Sequence, residues 1–158
     1  MQNFTKSQTR LAFVQYIFQL EFSNTEILDN QSIEDFQKHF YNTNISLIDD
    51  EKEFKLRFNK NFLKRLYESF QNNINKKTIN QELNNFININ RKFEKWDNIL
   101  KSLIFAIITE LKITDKNKIK IVLNDYLNIS KSLVSQKETK LINAIIQKYI
   151  DKNEINKK

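Results

Sequence analysis

Two basic side chains, Lys6 and Arg10, are the residues of this chain whose type and spacing best suit binding chemistry. They stand four positions apart in a stretch with helical periodicity, so their charges share one side of the first turns. Donors at the start of a helix favour an anion such as phosphate. The pattern predicts an anion-binding surface at Lys6–Arg10, here called the basic foot, where hydroxyl and amide side chains add hydrogen-bonding groups.

Side chains that commonly carry catalysis are scarce. The chain has one histidine, His39, and neither cysteine nor glycine, which excludes a catalytic triad, a thiolate zinc site and a glycine-rich phosphate loop. Asp49, Asp50 and Glu51 form an acidic run, but carboxylates at a helix start are common and suit the helix dipole. No carboxylates show metal-ligand spacing. We therefore expect a non-enzymatic protein without a cofactor or a bound metal.

The composition limits the fold class and the kind of partner. The 158 residues include no glycine and no proline, so tight hairpin turns lose their favoured residues and an all-α fold is expected. A net charge of +7 favours an anionic partner such as nucleic acid, although a general lysine and asparagine bias would also produce it. We find neither a membrane span nor a signal peptide and expect a cytoplasmic protein.

Hydrophobic periodicity predicts about seven helices that position the basic foot. They extend over about Thr5–Phe22, Ser32–Tyr41, Asp50–Asn75, Thr78–Ile87, Asp97–Leu111, Thr114–Leu127 and Ser135–Tyr149, before a frayed tail at 152–158. Asp97 is expected to cap the most apolar helix, and Ser135 with Glu138 forms an S-x-x-E capping box. In the first helix we expect burial on most sides, along a stripe of apolar residues that leaves a narrow polar strip. The stripe is Leu11, Val14, Phe18 and Phe22, widened by Phe13, Ile17 and Leu20, and the strip is Gln8, Gln15 and Gln19 with the small Ala12 among them.

Four segments in order resemble motifs of the transcription antitermination factor NusB family. Thr9–Gln19 resembles the family's opening helix, a basic start followed by an apolar, glutamine-containing stretch. Asp97–Leu111 is similar to its central D-x-x-L-R-x-A-x-x-E-L helix. Ile121–Lys131 is similar to V-x-I-N-E-x-V-x-x-A-K, and Lys140–Ile146 to K-F-V-N-G-V-L. The resemblance spans both ends of the chain, while the family's glycine is Ala144 here.

The resemblance implies a fold, a function and partners. The fold would be a single NusB-like domain over 1–158, with helical subdomains at about 1–76 and 77–151. The function would be transcription antitermination: pairing with the small-subunit ribosomal protein NusE and binding the boxA segment of nascent RNA. Together with other Nus factors, the pair would help RNA polymerase to elongate through ribosomal RNA operons.

The resemblance also implies site residues, carried over by position. RNA contacts would come from Lys6, Ser7, Gln8, Thr9, Arg10 and Gln15 in the first helix and from Lys140 and Asn143 in the last. Trp96 and Lys101 lie in the region expected to contact a partner protein, with core packing as the alternative for Trp96. Asn124 also matches a motif and is interpreted as structural.

Two other functions stay open at this point: a helical protein–protein adaptor without RNA binding, and a stand-alone RNA-binding domain related to those fused to RNA methyltransferases. The antitermination hypothesis predicts that Lys6→Glu combined with Arg10→Glu lowers RNA affinity and leaves helicity and melting unchanged. A gel-shift titration with boxA-like RNA, with and without NusE, separates these functions.

Overall fold

The computed structural model describes residues 2–23, 44–47, 50–55, 58–86 and 93–153. Within these ranges the chain forms six α-helices: α1 Gln2–Ser23, α2 Lys60–Asn73, α3 Lys76–Phe86, α4 Asn98–Leu111, α5 Ile119–Ser130 and α6 Gln136–Lys152. Short 3₁₀ turns at Phe93–Lys95 and Lys116–Lys118 precede α4 and α5. The predicted all-α class is confirmed. The predicted helix Ser32–Tyr41, with His39, lies outside the described residues.

Helix α4 forms the centre of the core. Helices α1, α2, α5 and α6 all pack against it, and every residue from Ser102 to Leu111 is buried. A helix that is surrounded in this way must be mostly apolar, as this sequence is, and its buried polar side chains Ser102, Thr109 and Glu110 are the exceptions. Its buried Thr109 hydroxyl donates to the Phe105 carbonyl oxygen one turn earlier, at 2.6 Å. One continuous hydrophobic cluster joins the helices. The predicted division into two helical subdomains, between about residues 76 and 77, stays a prediction.

Helix α1 is buried over a wide arc, as the widened stripe with Phe13 and Ile17 predicts, and Val14 of the stripe is fully buried. Phe13 and Ile17, four residues apart, are fully buried at its centre, and Ala12 beside them is also buried rather than part of a polar strip. Leu11 and Phe18, two members of the predicted stripe, are only half-buried. The arc is wide because α1 contacts α4, α2 and α5 together.

The predicted long helix from Asp50 is wrong over Asp50–Lys55, which form a strand. Two strands, β1 Asn44–Leu47 and β2 Asp50–Lys55, pair antiparallel, and Ile45 is opposite Phe54. Helix α2 begins only after Asn59, whose side chain accepts a hydrogen bond from the Phe62 amide at 3.0 Å. The sequence from Glu53 to Phe58 alternates charged and apolar residues, which is the period of a strand, and the four-residue repeat of phenylalanines concealed it.

The helix ends differ in how well they are capped. Asp97 occupies the N-cap position of α4, but its side chain makes no capping hydrogen bond, so only its predicted position is right. Ser135 forms the predicted capping box of α6: its hydroxyl accepts from the Glu138 amide, and the Glu138 carboxylate accepts from the Ser135 amide, both at 3.1 Å. Helix α6 then continues to Lys152, beyond the predicted start of the frayed tail.

Replacing Ser135 by alanine tests this capping box. Ser135→Ala removes the acceptor for the Glu138 amide and should lower the free energy of unfolding by about 1 kcal/mol. Chemical denaturation followed by circular dichroism measures the change. Ser135→Asp keeps a side-chain acceptor and should stay close to wild type, so equal losses in both variants would contradict the capping role.

Candidate nucleic-acid interface

The basic foot lies where α1, α4 and α5 converge. Helix α1 contributes Arg10, the last turn of α4 contributes Glu110, and the middle of α5 contributes Asp125 and Tyr126. Arg10 is 7% exposed and Glu110 3% exposed, so this charge pair is withdrawn from water. The three helices therefore meet around a buried guanidinium group.

The Arg10 guanidinium uses its fork of donors on two carboxylates. Its Nε donates to both oxygens of Glu110, at 2.9 and 3.1 Å, and Nη2 donates to Glu110 Oε2 at 2.7 Å. Its Nη1 forms an ion pair with Asp125. The Tyr126 hydroxyl donates to Glu110 Oε1 at 2.8 Å, and the Ser7 hydroxyl donates to Asp125 Oδ1 at 2.7 Å. Each charge is therefore paired and hydrogen-bonded, as burial requires.

The electrostatics of this network fix its protonation. Burial opposes the charged form of Arg10, but hydrogen bonding to Glu110 and the Glu110 charge raise the pKa of Arg10 above its ordinary value. Burial and the Glu110 charge also raise the pKa of Tyr126, which keeps its hydroxyl a donor. A raised tyrosine pKa stabilises the fold below pH ~10, and that contribution is lost as pH rises further. At neutral pH, Arg10 is therefore charged and Tyr126 is protonated.

Two residues predicted to contact RNA, Arg10 and Thr9, instead make buried contacts within the protein. Arg10 does not lie on an open surface, since its guanidinium is taken by Glu110 and Asp125. Thr9 is fully buried, donates to the Thr5 carbonyl oxygen at 2.7 Å and accepts from the Asn59 amide at 2.8 Å. The expectation that Arg10→Glu leaves melting unchanged is therefore wrong, because it would place a third carboxylate in the network.

An open surface does lie beside this network, and it consists of two adjoining depressions. The larger, about 460 Å³, lies between α1 and α5. The smaller, about 180 Å³, extends towards α2, where Arg65 lines it. Both are lined by Lys6 and Lys118, which are exposed and have no ion-pair partner among the residues that the structure describes. We call the two depressions together the cationic groove.

Sequence reasoning missed much of this groove. Arg65 comes from α2, Lys118 from the turn before α5, and Asn128 from α5 itself. Asn124, interpreted as structural, is exposed and lines the larger depression, so that interpretation is wrong. The exposed positions Ile121, Asn124 and Asn128 follow a helical spacing, which was a signal in the sequence, but no pattern shows that α5 lies beside the basic foot.

The other predicted site residues lie elsewhere. Of the first-helix candidates, Ser7 lines the larger depression, whereas Gln8 and Gln15 are half-buried and line neither one. Lys140 and Asn143 are exposed on α6, also outside the groove. Gln8, Gln15, Lys140 and Asn143 therefore do not line the groove with Lys6.

The predicted partner region has a different character. Trp96 is 7% exposed and its ring lies 5.4 Å from that of Phe93, so core packing, the alternative, describes its position. Lys101 is half-buried on α4.

In the part of the chain that the structure covers, no helix is long and apolar enough to cross a membrane. No group of three or more metal-ligating side chains occurs within the same ranges.

The structure is a helical domain with the cationic groove beside its buried ion-pair network, and comparison with known proteins agrees with the sequence resemblance. Residues 7–151 match the model of the NusB family. The transcription antitermination protein NusB of Rickettsia massiliae is 27% identical over 143 residues, 90% of this chain and 89% of that protein. The protein of the same name from Rickettsia typhi is 27% identical over 151 residues, 94% and 92% of the two chains. No solved structure gives a significant match.

The chain therefore belongs to the NusB family of transcription antitermination proteins. These are non-enzymatic factors, in line with the expectation drawn from the sequence. The match begins at Ser7 and ends at Asp151. It therefore includes most of the basic foot, the whole of α4 and α5, and most of α1 and α6.

Replacing Arg10 by methionine tests the buried network. Arg10→Met keeps an apolar stem but leaves Glu110 buried without its cation, so the free energy of unfolding should fall by about 3–5 kcal/mol. Urea denaturation measures this change. Adding Glu110→Gln should recover part of the loss, because the uncompensated charge is then gone.

Arg65→Met is the matched control for that variant. The guanidinium carbons of Arg10 and Arg65 lie 5.5 and 5.4 Å from the centre of the same Phe62 ring, but Arg65 is exposed. Its replacement should change stability by less than about 1 kcal/mol. Similar losses for both arginines would show that the ring contact, and not the carboxylates, explains the effect.

Proposed function

We propose that this antitermination protein binds boxA-type single-stranded RNA together with the ribosomal protein NusE, and that the RNA lies in the cationic groove. In this proposal the protein acts in the cytoplasm, in a complex with other Nus factors and RNA polymerase. The complex supports elongation through ribosomal RNA operons. Family membership and the groove support the proposal from two independent sides.

The pairing state of the basic residues is the observation that carries the proposal. Arg10 is paired with the buried Glu110 and the half-buried Asp125, whereas Lys6 and Lys118 line both depressions without an ion-pair partner among the described residues. Exposed ammonium groups that line a continuous path suit a phosphodiester backbone, which carries one charge at each nucleotide. Arg65 extends this path on the side of α2.

The proposed mechanism is non-catalytic. Lys6, Lys118 and Arg65 neutralise phosphates and release counterions, which gives a salt-dependent affinity. Hydroxyl and amide side chains next to them donate to exposed bases of a single strand. Arg10 acts indirectly, because its network holds the start of α1 against α5 and keeps the two lysines on one face.

The remaining predicted contacts keep their places in the proposal. Ser7 lines the groove, although its hydroxyl already donates to Asp125. Gln8, Gln15, Lys140 and Asn143 would contact RNA that extends beyond the groove along α1 or α6. Lys101 remains the proposed contact for NusE, while Trp96 would support that region from within the core.

Reversing the two groove lysines tests the proposal. Lys6→Glu with Lys118→Glu should lower boxA affinity at least tenfold at low salt, since both phosphate contacts become repulsive. For single-stranded RNA, the loss of two phosphate contacts should reduce the slope of log K against log salt by about 1.4. Gel-shift titrations at several salt concentrations, with and without NusE, measure both quantities.

The matched control reverses two exposed lysines outside the groove, Lys77 on α3 and Lys148 on α6. Lys77→Glu with Lys148→Glu changes the net charge by the same amount and should leave the salt slope close to that of wild type. If both double variants lose affinity equally, the groove is not the site. If wild type binds no RNA even with NusE, the protein is an adaptor rather than an RNA-binding factor.

A further inference from the structure

We propose that the larger depression of the cationic groove is a base-binding subsite, in which Ile121 contacts the flat face of an unstacked base and Asn124 and Asn128 bind its edge. This inference rests on the proposed function, because it names the part of the RNA that this depression holds. It is carried by three exposed residues of α5 that the charge argument does not use.

The three residues form one stripe on α5. Ile121, Asn124 and Asn128 stand at i, i+3 and i+7, so they share a helix face, and all three line the larger depression. Across the depression lie Lys6 and Ser7 of α1. An apolar surface and two carboxamides on one wall therefore oppose an ammonium group on the other.

Ile121 is exposed to a degree that the fold does not explain. Its side chain is 65% exposed, more than Ile113 at 43%, the other large apolar side chain exposed among the described residues. A site that binds only phosphate does not need an exposed apolar side chain such as Ile121. A nucleotide has a flat apolar face next to its charged phosphate, and single-stranded RNA is recognised through such unstacked bases.

The asparagines have donors and acceptors suited to a base edge. The Asn128 carboxamide oxygen accepts from the Lys131 ammonium group at 3.3 Å, which turns the oxygen towards that lysine and leaves the amide group as a donor. Lys131, exposed at the end of α5, also adds a cation near this end of the depression. Asn124 lies one turn earlier, next to Ile121 on the same face.

The size and charge of the depression fit one nucleotide. Its volume of about 460 Å³ falls within the range of roughly 300–1,000 Å³ that is usual for small-ligand sites. Arg10 and Asp125 also line it, but the Arg10 guanidinium is already shared between Asp125 and Glu110, so the positive charge available to a ligand comes from Lys6 and Lys118. One base against α5, with its phosphates near these lysines, uses each kind of group that lines the depression.

Substitutions of Ile121 in both directions test the inference. With NusE present, Ile121→Ser should lower boxA affinity about fivefold and Ile121→Tyr should raise it by a similar factor, because an aromatic ring stacks better on a base. Neither variant should alter the salt slope, since no phosphate contact changes. Gel-shift titrations with boxA RNA and with a scrambled RNA of equal length measure affinity, discrimination and slope.

The asparagines are tested in the same assay. Asn124→Ala and Asn128→Ala should each reduce the preference for boxA over the scrambled RNA about fivefold or more, because lost base-edge hydrogen bonds relax specificity. Asn72→Ala is the matched control, since Asn72 is an exposed asparagine of α2 that lines neither depression. Thermal melting should be the same for all five variants, because every substituted residue is exposed.

The outcomes separate the two proposals. If boxA binding depends on Lys6 and Lys118 but all Ile121 and asparagine variants behave like wild type, the base-binding inference is wrong and the proposed function stands. If Ile121→Tyr weakens binding as much as Ile121→Ser, the side chain is not stacked on a base and the inference is wrong. If wild type binds no single-stranded RNA of either sequence, both proposals fail.

Discussion

The buried ion-pair network around Arg10 is the interaction on which the site depends. It connects three helices that are far apart in sequence: α1, the end of α4 and the middle of α5. Burying a charge is unfavourable unless it is paired and hydrogen-bonded, and here the guanidinium donors are divided between two carboxylates while Tyr126 donates to one of them. Because a partly satisfied network would be strongly unfavourable, this geometry selects one arrangement of the three helices.

The same network decides which cations face a ligand. Arg10 is shared between Glu110 and Asp125, so this network presents no free cation to the groove. The exposed Lys6 and Lys118 then supply the positive charge, from two elements that the network holds together. Arg10 resembles a phosphate ligand in the sequence, but its contacts hold the helices together. Lys118, from the turn before α5, is exposed in the groove instead.

The relation to the NusB family extends over nearly the whole chain, at low identity. Identity to the Rickettsia relatives is 27% or less, yet the match covers residues 7–151 and the helices that surround α4. A helical core tolerates apolar exchanges that keep volume and pattern. An exposed groove changes more freely, because its residues are not constrained by packing. The cations of this groove without a carboxylate partner include Lys6 and Lys118, and lysine contacts phosphate as a point charge rather than as a fork.

Local patterns in the chain were enough to predict the helical class, the apolar α4, the capping box at Ser135 and the family, because these follow from local periodicity, local hydrogen bonding and ordered motifs. Short-range patterns also misled: the phenylalanine repeat that suggested a helix from Asp50 covers a strand, whose pairing with residues 44–47 is a tertiary contact. Only the tertiary structure decided that Arg10 is buried and that Lys118 and Asn128 lie beside Lys6. The physical reason is that burial and pairing of a charge depend on which distant carboxylates meet it, and helical spacing carries no information about them.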